Sequence, residues 1–329
     1  MKLDNHSYIA GMGYYVPKKI LTNFDLEKMV ETSDEWITTR TGIKTRHIAE
    51  DNETSSMLGT EAAKKALLNA NLKPEDIDFT IVATITPDMI FPSTAALISN
   101  NLGIHGKAVL DIEAACTGFI YGLSIADQFI KTGKYKNILV IAAETLSKIT
   151  DWKDRNTCVL FGDGSGAAVV SVSKSESKII DFYLGGDGAY KDLLYIEAGG
   201  SLHPASEETV RNRMHYMKMK GNETFKVAVT KMSECAKEIL ERNNIKQDEI
   251  SLLIAHQANE RIIRAVQKSL GLPDEKVYIN LDKYGNTSAA SIPIALAEAV
   301  EKKLINRGDL ILLVAFGGGL TWGSMLIKW

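Results

Sequence analysis

Cys116 stands in the segment LDIEAACTGF, directly after an apolar run of strand length and before an amphipathic pattern built on Phe119, Ile120, Leu123, Ala126 and Ile130. A thiol at a helix N-terminus feels the positive end of the macrodipole and the free N–H groups, which lower its pKa and favour the nucleophilic thiolate. That is the chemistry of a covalent nucleophile. The competing reading is a buried apolar cysteine, because free Cys is among the most buried residue types. Cys158, in the strand-like TCVLF, and Cys235, on the apolar face of Met232 and Ile239, fit that second reading. Three widely separated cysteines without a CxxC indicate neither a disulfide framework nor a zinc site.

His256 ends the apolar run LLIA in AHQAN, and Asn286 follows VYINLDKYGN just before TSAAS, where Thr287 or Ser288 can cap the next helix. Both positions fall at the carboxyl ends of expected strands, where open α/β sheets place their sites. A lone His or Asn at such an edge is structural more often than not, but three residues at corresponding edges suggest one Cys-His-Asn site. The residues alone leave three functions open. A transferase would use Cys116 as its nucleophile. A cysteine hydrolase would use the histidine to deprotonate the thiol. A binding protein would leave Cys116 unreactive.

The elements that must position these residues alternate strand-length apolar runs with helical periodicity, an α/β pattern that predicts mainly parallel strands. Strands are predicted at 8–13, 78–84, 108–112, 137–142, 179–184, 251–255, 277–280 and 310–316, with helices between them, including 94–102, 117–130, 262–270 and 288–304. Pro293 should kink or delay the last helix. VLFGDGSGAAVVSV at Val159–Val172 and VAFGGGLTWGSMLI at Val314–Ile327 end two similar series of elements, which suggests an internal duplication with halves 1–175 and 176–329. Between Gly185 and Gly221 the regular pattern fails, and this Gly- and Met-rich stretch is expected to form a flap over a site. The glycine clusters GDGSG and GMG lack the spacing and following helix of a dinucleotide fingerprint, so tight turns or bared backbone N–H groups fit them better.

A length of 329 residues suggests two domains, and 45% hydrophobic with 24% charged residues is ordinary globular composition. The net charge of −3 argues against a general nucleic-acid surface. The N-terminal stretch lacks the apolar core of a leader, and no apolar run is long enough to span a bilayer, so a cytoplasmic protein without a membrane partner is expected. After His256, Ile262, Ile263, Val266 and Leu270 share one helix face, while Arg261, Arg264 and Lys268 share another. Such a basic stripe suits an acidic protein partner, with Lys226 as an addition, and would chiefly raise the association rate.

The residues ACTGF, HQANERII, YGNTSAASIP and AFGGGLTWG, with SDEWITTRTGI at Ser33–Ile43, resemble the β-ketoacyl-acyl-carrier-protein synthase III family from end to end. The resemblance implies an α/β thiolase-like fold, two pseudo-twofold halves each with a mixed five-stranded sheet in an α-β-α-β-α body. It implies that Cys116 takes an acyl group from acyl-CoA, and that His256 and Asn286 hold the malonyl thioester carbonyl of malonyl-acyl carrier protein. The backbone N–H groups of Cys116 and Gly318 would form the oxyanion hole. Trp36 and Arg155 would sandwich the CoA adenine and Arg40 would meet its phosphates, with Gly221, Phe225 and Asn259 near the pantetheine. Phe91, Leu146 and Phe316 would border the acyl pocket, with Phe91 reaching across a homodimer interface. Lys226, Arg261, Arg264 and Lys268 would receive the acyl carrier protein. No cofactor or metal is implied beyond the substrates. Glu260 departs from the apolar residue common beside this arginine in the family. A related enzyme of a specialised pathway, using another acyl donor, fits the same motifs.

Overall fold

Apolar strands need two covered faces, and helices need one, so this alternation can bury its apolar surface only by stacking sheets between helical layers. The computed structural model describes residues 5–173 and 175–329; the first four, part of the stretch read above for a leader, lie outside them. The first sheet comprises β1 (Ser7–Tyr15), β2 (Phe79–Ala83), β3 (Ala108–Ile112), β4 (Asn137–Glu144) and β5 (Gly164–Val172), in the order β1-β5-β4-β2-β3. The second comprises β6 (Lys178–Gly186), β7 (Leu252–Ala255), β8 (Leu310–Gly317) and β9 (Thr321–Lys328), in the order β7-β8-β9-β6.

Two expectations need correction here. The strands are not mainly parallel: β3, β2 and β4 run parallel, as do β7 and β8, but β4-β5, β5-β1, β8-β9 and β9-β6 are antiparallel. The glycine turn in FGGGLT explains β8-β9, because a tight turn returns the chain antiparallel whereas a parallel partner needs a long crossover. The second sheet also has four strands, not five. The stretch 277–280 makes a single parallel bridge, Leu253 to Val277, among the described residues. Its backbone is held instead by a side chain: Gln257 Oε1 accepts from the Asn280 N–H at 3.0 Å and Gln257 Nε2 donates to the Tyr278 carbonyl at 3.2 Å.

Seven helices matter for the site: α1 (Asp34–Thr41), α2 (Ser55–Ala70), α3 (Thr94–Leu102), α4 (Gly118–Lys131), α5 (Gly221–Arg242), α6 (Glu260–Leu270) and α7 (Ser291–Glu301). Helices α4 and α7 lie between the sheets, where Phe119, Ile120, Leu123, Ile292, Leu296 and their neighbours form the central core. Helices α2 and α3 cover the outer face of the first sheet, and α5 and α6 that of the second. The helix expected at 288–304 is delayed, as Pro293 predicts: α7 starts at Ser291, so the proline occupies the first turn, where its missing N–H has no helical partner to lose. Pro293 packs directly on β5, since a Cβ on Gly166 would lie 2.6 Å from it. GMG acts likewise on the other face, with Gly11 and Gly13 admitting the backbone of α2. No helix among the described residues is long and apolar enough to cross a membrane.

Candidate active site

Strand β3 ends at Ile112, and the chain then turns sharply through Ala115, whose φ of +43° puts a Cβ-bearing residue in the left-handed region. Such a conformation costs on the order of 1–3 kcal/mol and persists only where its surroundings over-determine it. The turn Ala115–Thr117 leads into α4 and leaves Cys116 buried at the helix N-terminus. Two neighbours brace it. Thr117 Oγ1 donates to the Ala114 carbonyl at 2.6 Å and lies 2.7 Å from Thr321 Oγ1, at the start of β9. Gly317, at the end of β8, comes so close that a Cβ there would lie 2.6 Å from the Cys116 nitrogen. The same device recurs before α7, where Ser288 has φ +49° and opens the turn Ser288–Ala290.

His256 follows β7 directly, its N–H donating to the Val314 carbonyl at 2.8 Å. Its Nδ1 lies 2.6 Å from Ser291 Oγ, which also accepts from the Gln257 N–H at 3.3 Å. Asn286 is tied at both backbone groups, its N–H to Leu160 at 2.8 Å and its carbonyl to the Gly162 N–H at 3.0 Å. Its Oδ1 accepts from the Ser288 N–H at 2.8 Å, so the side-chain NH2 is the end left for another acceptor.

Cys116, His256 and Asn286 line one narrow channel of about 100 Å³, together with Phe225, Asn259 and Gly317. On its other side Cys116 also borders a wider cavity of about 640 Å³ with Thr84, Ile112, Leu146, Ser288 and Gly318. The thiol thus stands where a channel meets a chamber. Leu194, Tyr195, Ile196 and Met217 of the 185–221 segment line the chamber, so this stretch covers the site as expected.

Electrostatics differ from the sequence expectation at the thiol. Burial pushes Cys116 up to about 12, and this outweighs the hydrogen-bonding influence of Ser288, which acts in the opposite direction. The resting residue is a thiol rather than a thiolate, so its proton must be removed when it reacts. Burial pushes His256 down to about 3, which keeps the imidazole neutral at physiological pH. A neutral ring whose Nδ1 accepts from Ser291 carries its proton on Nε2, making it an uncharged donor beside the amide of Asn286.

Residues 110–188 match the family model described as 3-oxoacyl-[acyl-carrier-protein (ACP)] synthase III, and residues 240–329 match that of its C-terminal part. A β-ketoacyl-[acyl-carrier-protein] synthase III from Caldanaerobacter subterraneus subsp. tengcongensis is 61% identical over 321 residues, covering 98% of this chain and 97% of the relative. The chain belongs to the β-ketoacyl-acyl-carrier-protein synthase III family. The crystal structure of the Aquifex aeolicus 3-oxoacyl-[acyl-carrier-protein] synthase III superposes with TM-score 0.91 at 54% identity, covering 98% of this chain and 100% of that one. The priming β-ketosynthase of the R1128 polyketide biosynthetic pathway gives TM-score 0.91 at 32% identity, covering 98% and 96%. The layered body is accordingly the thiolase-like fold of these condensing acyltransferases.

The other expected residues are distributed unevenly. Both arginines expected with Trp36 stack on its ring, Arg155 Cζ at 4.6 Å and Arg40 Cζ at 5.2 Å from the centroid. Arg155 already occupies the Trp36 face, so a base entering between them would have to displace the guanidinium. Asn259 caps α6 and donates from Nδ2 to the Arg40 carbonyl at 3.1 Å, joining this cluster to the channel that Gly221 and Phe225 also line. Leu146 lines the chamber, but Phe316 lines the narrow channel instead. Phe91 is 83% exposed and borders neither cavity of its own chain. The basic stripe is less free than its sequence suggests: Arg264 is paired with Glu260 at 3.3 Å and Asp274 at 3.2 Å, which gives the unusual Glu260 a structural partner. Lys226, Arg261 and Lys268 are exposed, with Arg261 lying over the Phe225 ring at 5.4 Å. Cys158 and Cys235 lie in the apolar core around α5, as expected.

Sequence reasoning missed four supports. Ser291 and Thr321 reach the site only through tertiary contacts. Arg46, buried and donating to the Val159 carbonyl at 2.8 Å and Asn23 Oδ1 at 2.9 Å, holds the loop on which Asn286 is bonded. Glu144, fully buried at the end of β4, carried a readable signal: a carboxylate closing the apolar run ILVIAAE.

Proposed function

We propose that this enzyme performs the decarboxylating Claisen condensation that starts type II fatty-acid synthesis, in the cytoplasm and without a cofactor. Its substrates are a short acyl-CoA, acetyl-CoA foremost, and malonyl-acyl carrier protein. The observation that carries the reading is the convergence of Cys116, His256 and Asn286 on one channel.

Cys116 attacks the acyl-CoA thioester and holds the acyl group as a thioester of its own, with the chain in the wider chamber beside Leu146. CoA enters past Trp36, Arg40, Arg155 and Asn259 and lays its pantetheine along Gly221 and Phe225. Malonyl-acyl carrier protein then replaces CoA in the same channel. Loss of CO2 leaves an enolate, and neutral N–H donors from His256 and Asn286 stabilise its oxygen without needing a strong base. The carbanion attacks the acyl-Cys116 carbonyl, whose oxyanion the Cys116 and Gly318 backbone N–H groups receive, at roughly 10² to 10³ in rate per donor. Release gives 3-oxoacyl-carrier protein, CO2 and CoA, with Cys116 restored.

The two halves, 1–175 and 176–329, are read as duplicated units that share this site. The homodimer is supported by β3, an edge strand whose Val109 and Leu110 are each 40% exposed, and by the exposed Phe91. The likeness to a polyketide priming enzyme favours a second reading, the same chemistry on a different starter.

The test is a set of single alanine variants followed by intact mass and product assay. Cys116→Ala should lose acyl-enzyme formation, whereas His256→Ala and Asn286→Ala should still acylate but stall at condensation. Full activity of Cys116→Ala sinks the reading. A panel of straight and branched acyl-CoAs, each with malonyl-carrier protein, separates the two starter classes.

A further inference from the structure

Acyl transfer begins from a protonated thiol, and His256 stays neutral as a donor, so the proton of Cys116 needs another destination. The turns Ala115–Thr117 and Ser288–Ala290 pack against each other, and the second also packs against β4, which ends in Glu144. The Ser288 side chain neighbours both the Cys116 thiol and the Glu144 carboxyl. Yet Ser288 Oγ and Glu144 Oε1 are both buried with no closed hydrogen bond. Unpaired buried polar atoms are costly and call for an explanation. The other carboxylate oxygen is fully engaged: Glu144 Oε2 accepts from Thr86 Oγ1 at 2.7 Å, the Ile85 N–H at 3.2 Å and Thr84 Oγ1 at 3.3 Å. The carboxyl is therefore clamped through one oxygen, with the other left unpaired beside Ser288.

We propose that Glu144, acting through the Ser288 hydroxyl, accepts the Cys116 proton during acyl transfer. The thiol proton passes to Ser288 Oγ as the serine proton passes to Glu144 Oε1. The Cys116 Sγ–acyl bond forms, the bond from the acyl carbon to the CoA sulfur breaks, and the relay run in reverse protonates that departing sulfur. The half-reaction is then neutral overall and needs no outside acid or base. Burial raises Glu144 to about 7, close to working pH, where a group best accepts and returns a proton. Glu113 is the other carboxylate acting on Cys116, and the remaining partners of Glu144 (Thr84, Ile85, Thr86 and Ser288) carry no charge. Glu144 is a positioning and proton-holding residue, since it meets the thiol only through Ser288.

This inference rests on the acyl-transfer reading, and its test separates the two. Acylation of Cys116 by acetyl-CoA is followed by rapid-quench intact mass across pH 5.5–9, with thermal melting of each variant as a check on folding. In wild type the rate should rise with pH through about 7. Glu144→Gln should slow acylation tenfold or more and flatten that rise, Glu144→Asp should recover part of both, and Ser288→Ala should lose both with Glu144 intact. Wild-type rate and pH profile in Glu144→Gln overturn the relay; should that variant not fold, wild-type behaviour of Ser288→Ala overturns it equally. If wild type is never acylated at Cys116, it is the functional reading that fails.

Discussion

Ser291 Oγ lies 2.6 Å from His256 Nδ1, across 35 residues of sequence and from the first residue of the central helix α7. The contact biases which ring nitrogen carries the proton. With the Ser291 hydroxyl donating to Nδ1, Nε2 becomes the ring N–H, the donor that the proposed condensation uses. Ser291→Ala removes that bias and frees the ring to adopt either tautomer. We expect condensation to fall by about 10- to 100-fold, the scale of losing an orienting partner behind a functional histidine. Acylation of Cys116 should be nearly unchanged. A variant that condenses at the wild-type rate would show that backbone placement alone holds the ring.

Gly317 presses on the turn that holds Cys116. An alanine there would put its Cβ 2.6 Å from the Cys116 nitrogen and 3.1 Å from that of Thr117, both main-chain atoms that cannot rotate away. The turn must shift, and misplacing a reacting group by about an ångström costs on the order of 100-fold. Gly317→Ala should therefore lose acylation by about that factor while the melting temperature changes modestly. Steady-state acylation and thermal melting, measured together, check this.

Much of this arrangement was legible in the sequence because periodicity and strand-end position are local properties. The elements bearing Cys116 and His256 fall close to their expected bounds, and the 94–102 helix matches residue for residue. The fifth strand of the second sheet was not legible, because the side chain of Gln257 takes over the backbone hydrogen bonds that a neighbouring strand would have made. The thiol pKa was misjudged for a related reason. A helix N-terminus is visible in the residue pattern, whereas complete burial of the same residue is set by the glycine strand end and the 185–221 segment folding over it. Ser291, Thr321 and Arg46 act across 35 to 207 residues of chain, where no spacing rule reaches.

Burying Glu144 has a stability consequence with a definite sign. Its carboxyl is raised from an ordinary 4.5 to about 7, so the folded protein binds a proton more tightly than the unfolded chain between those values. Stability therefore falls as pH rises from 4.5 to 7, by up to about 3 kcal/mol at 1.36 kcal/mol per unit. Glu144→Gln cannot ionise, and its amide oxygen can take the place of Oε2 beside Thr84, Ile85 and Thr86. The variant should be more stable than wild type at pH 8, and its advantage should shrink toward pH 5. Denaturant midpoints at the two pH values measure this; an advantage independent of pH would mean that the Glu144 carboxyl titrates alike in the folded protein and the unfolded chain.

The proposed carrier-docking surface makes a prediction that its sequence would have placed differently. Of the four basic residues, Arg264 already spends its charge on Glu260 and Asp274, while Lys226, Arg261 and Lys268 are exposed. An acidic carrier protein approaching the channel should be steered mainly by Lys226 and Arg261, which flank Phe225 and Asn259 at its mouth. Charge reversal at either should raise KM for malonyl-carrier protein several-fold, more steeply at low ionic strength, because steering between exposed charges is screened by salt. The same variants should use malonyl-CoA, where it serves as a surrogate, with little change, since the carrier surface is absent. Arg264→Ala should affect KM less than either. It instead removes surface ion pairs worth about 0–1 kcal/mol each. An equal rise in KM for all three variants, or an effect that survives at high salt, would place the carrier elsewhere on the rim.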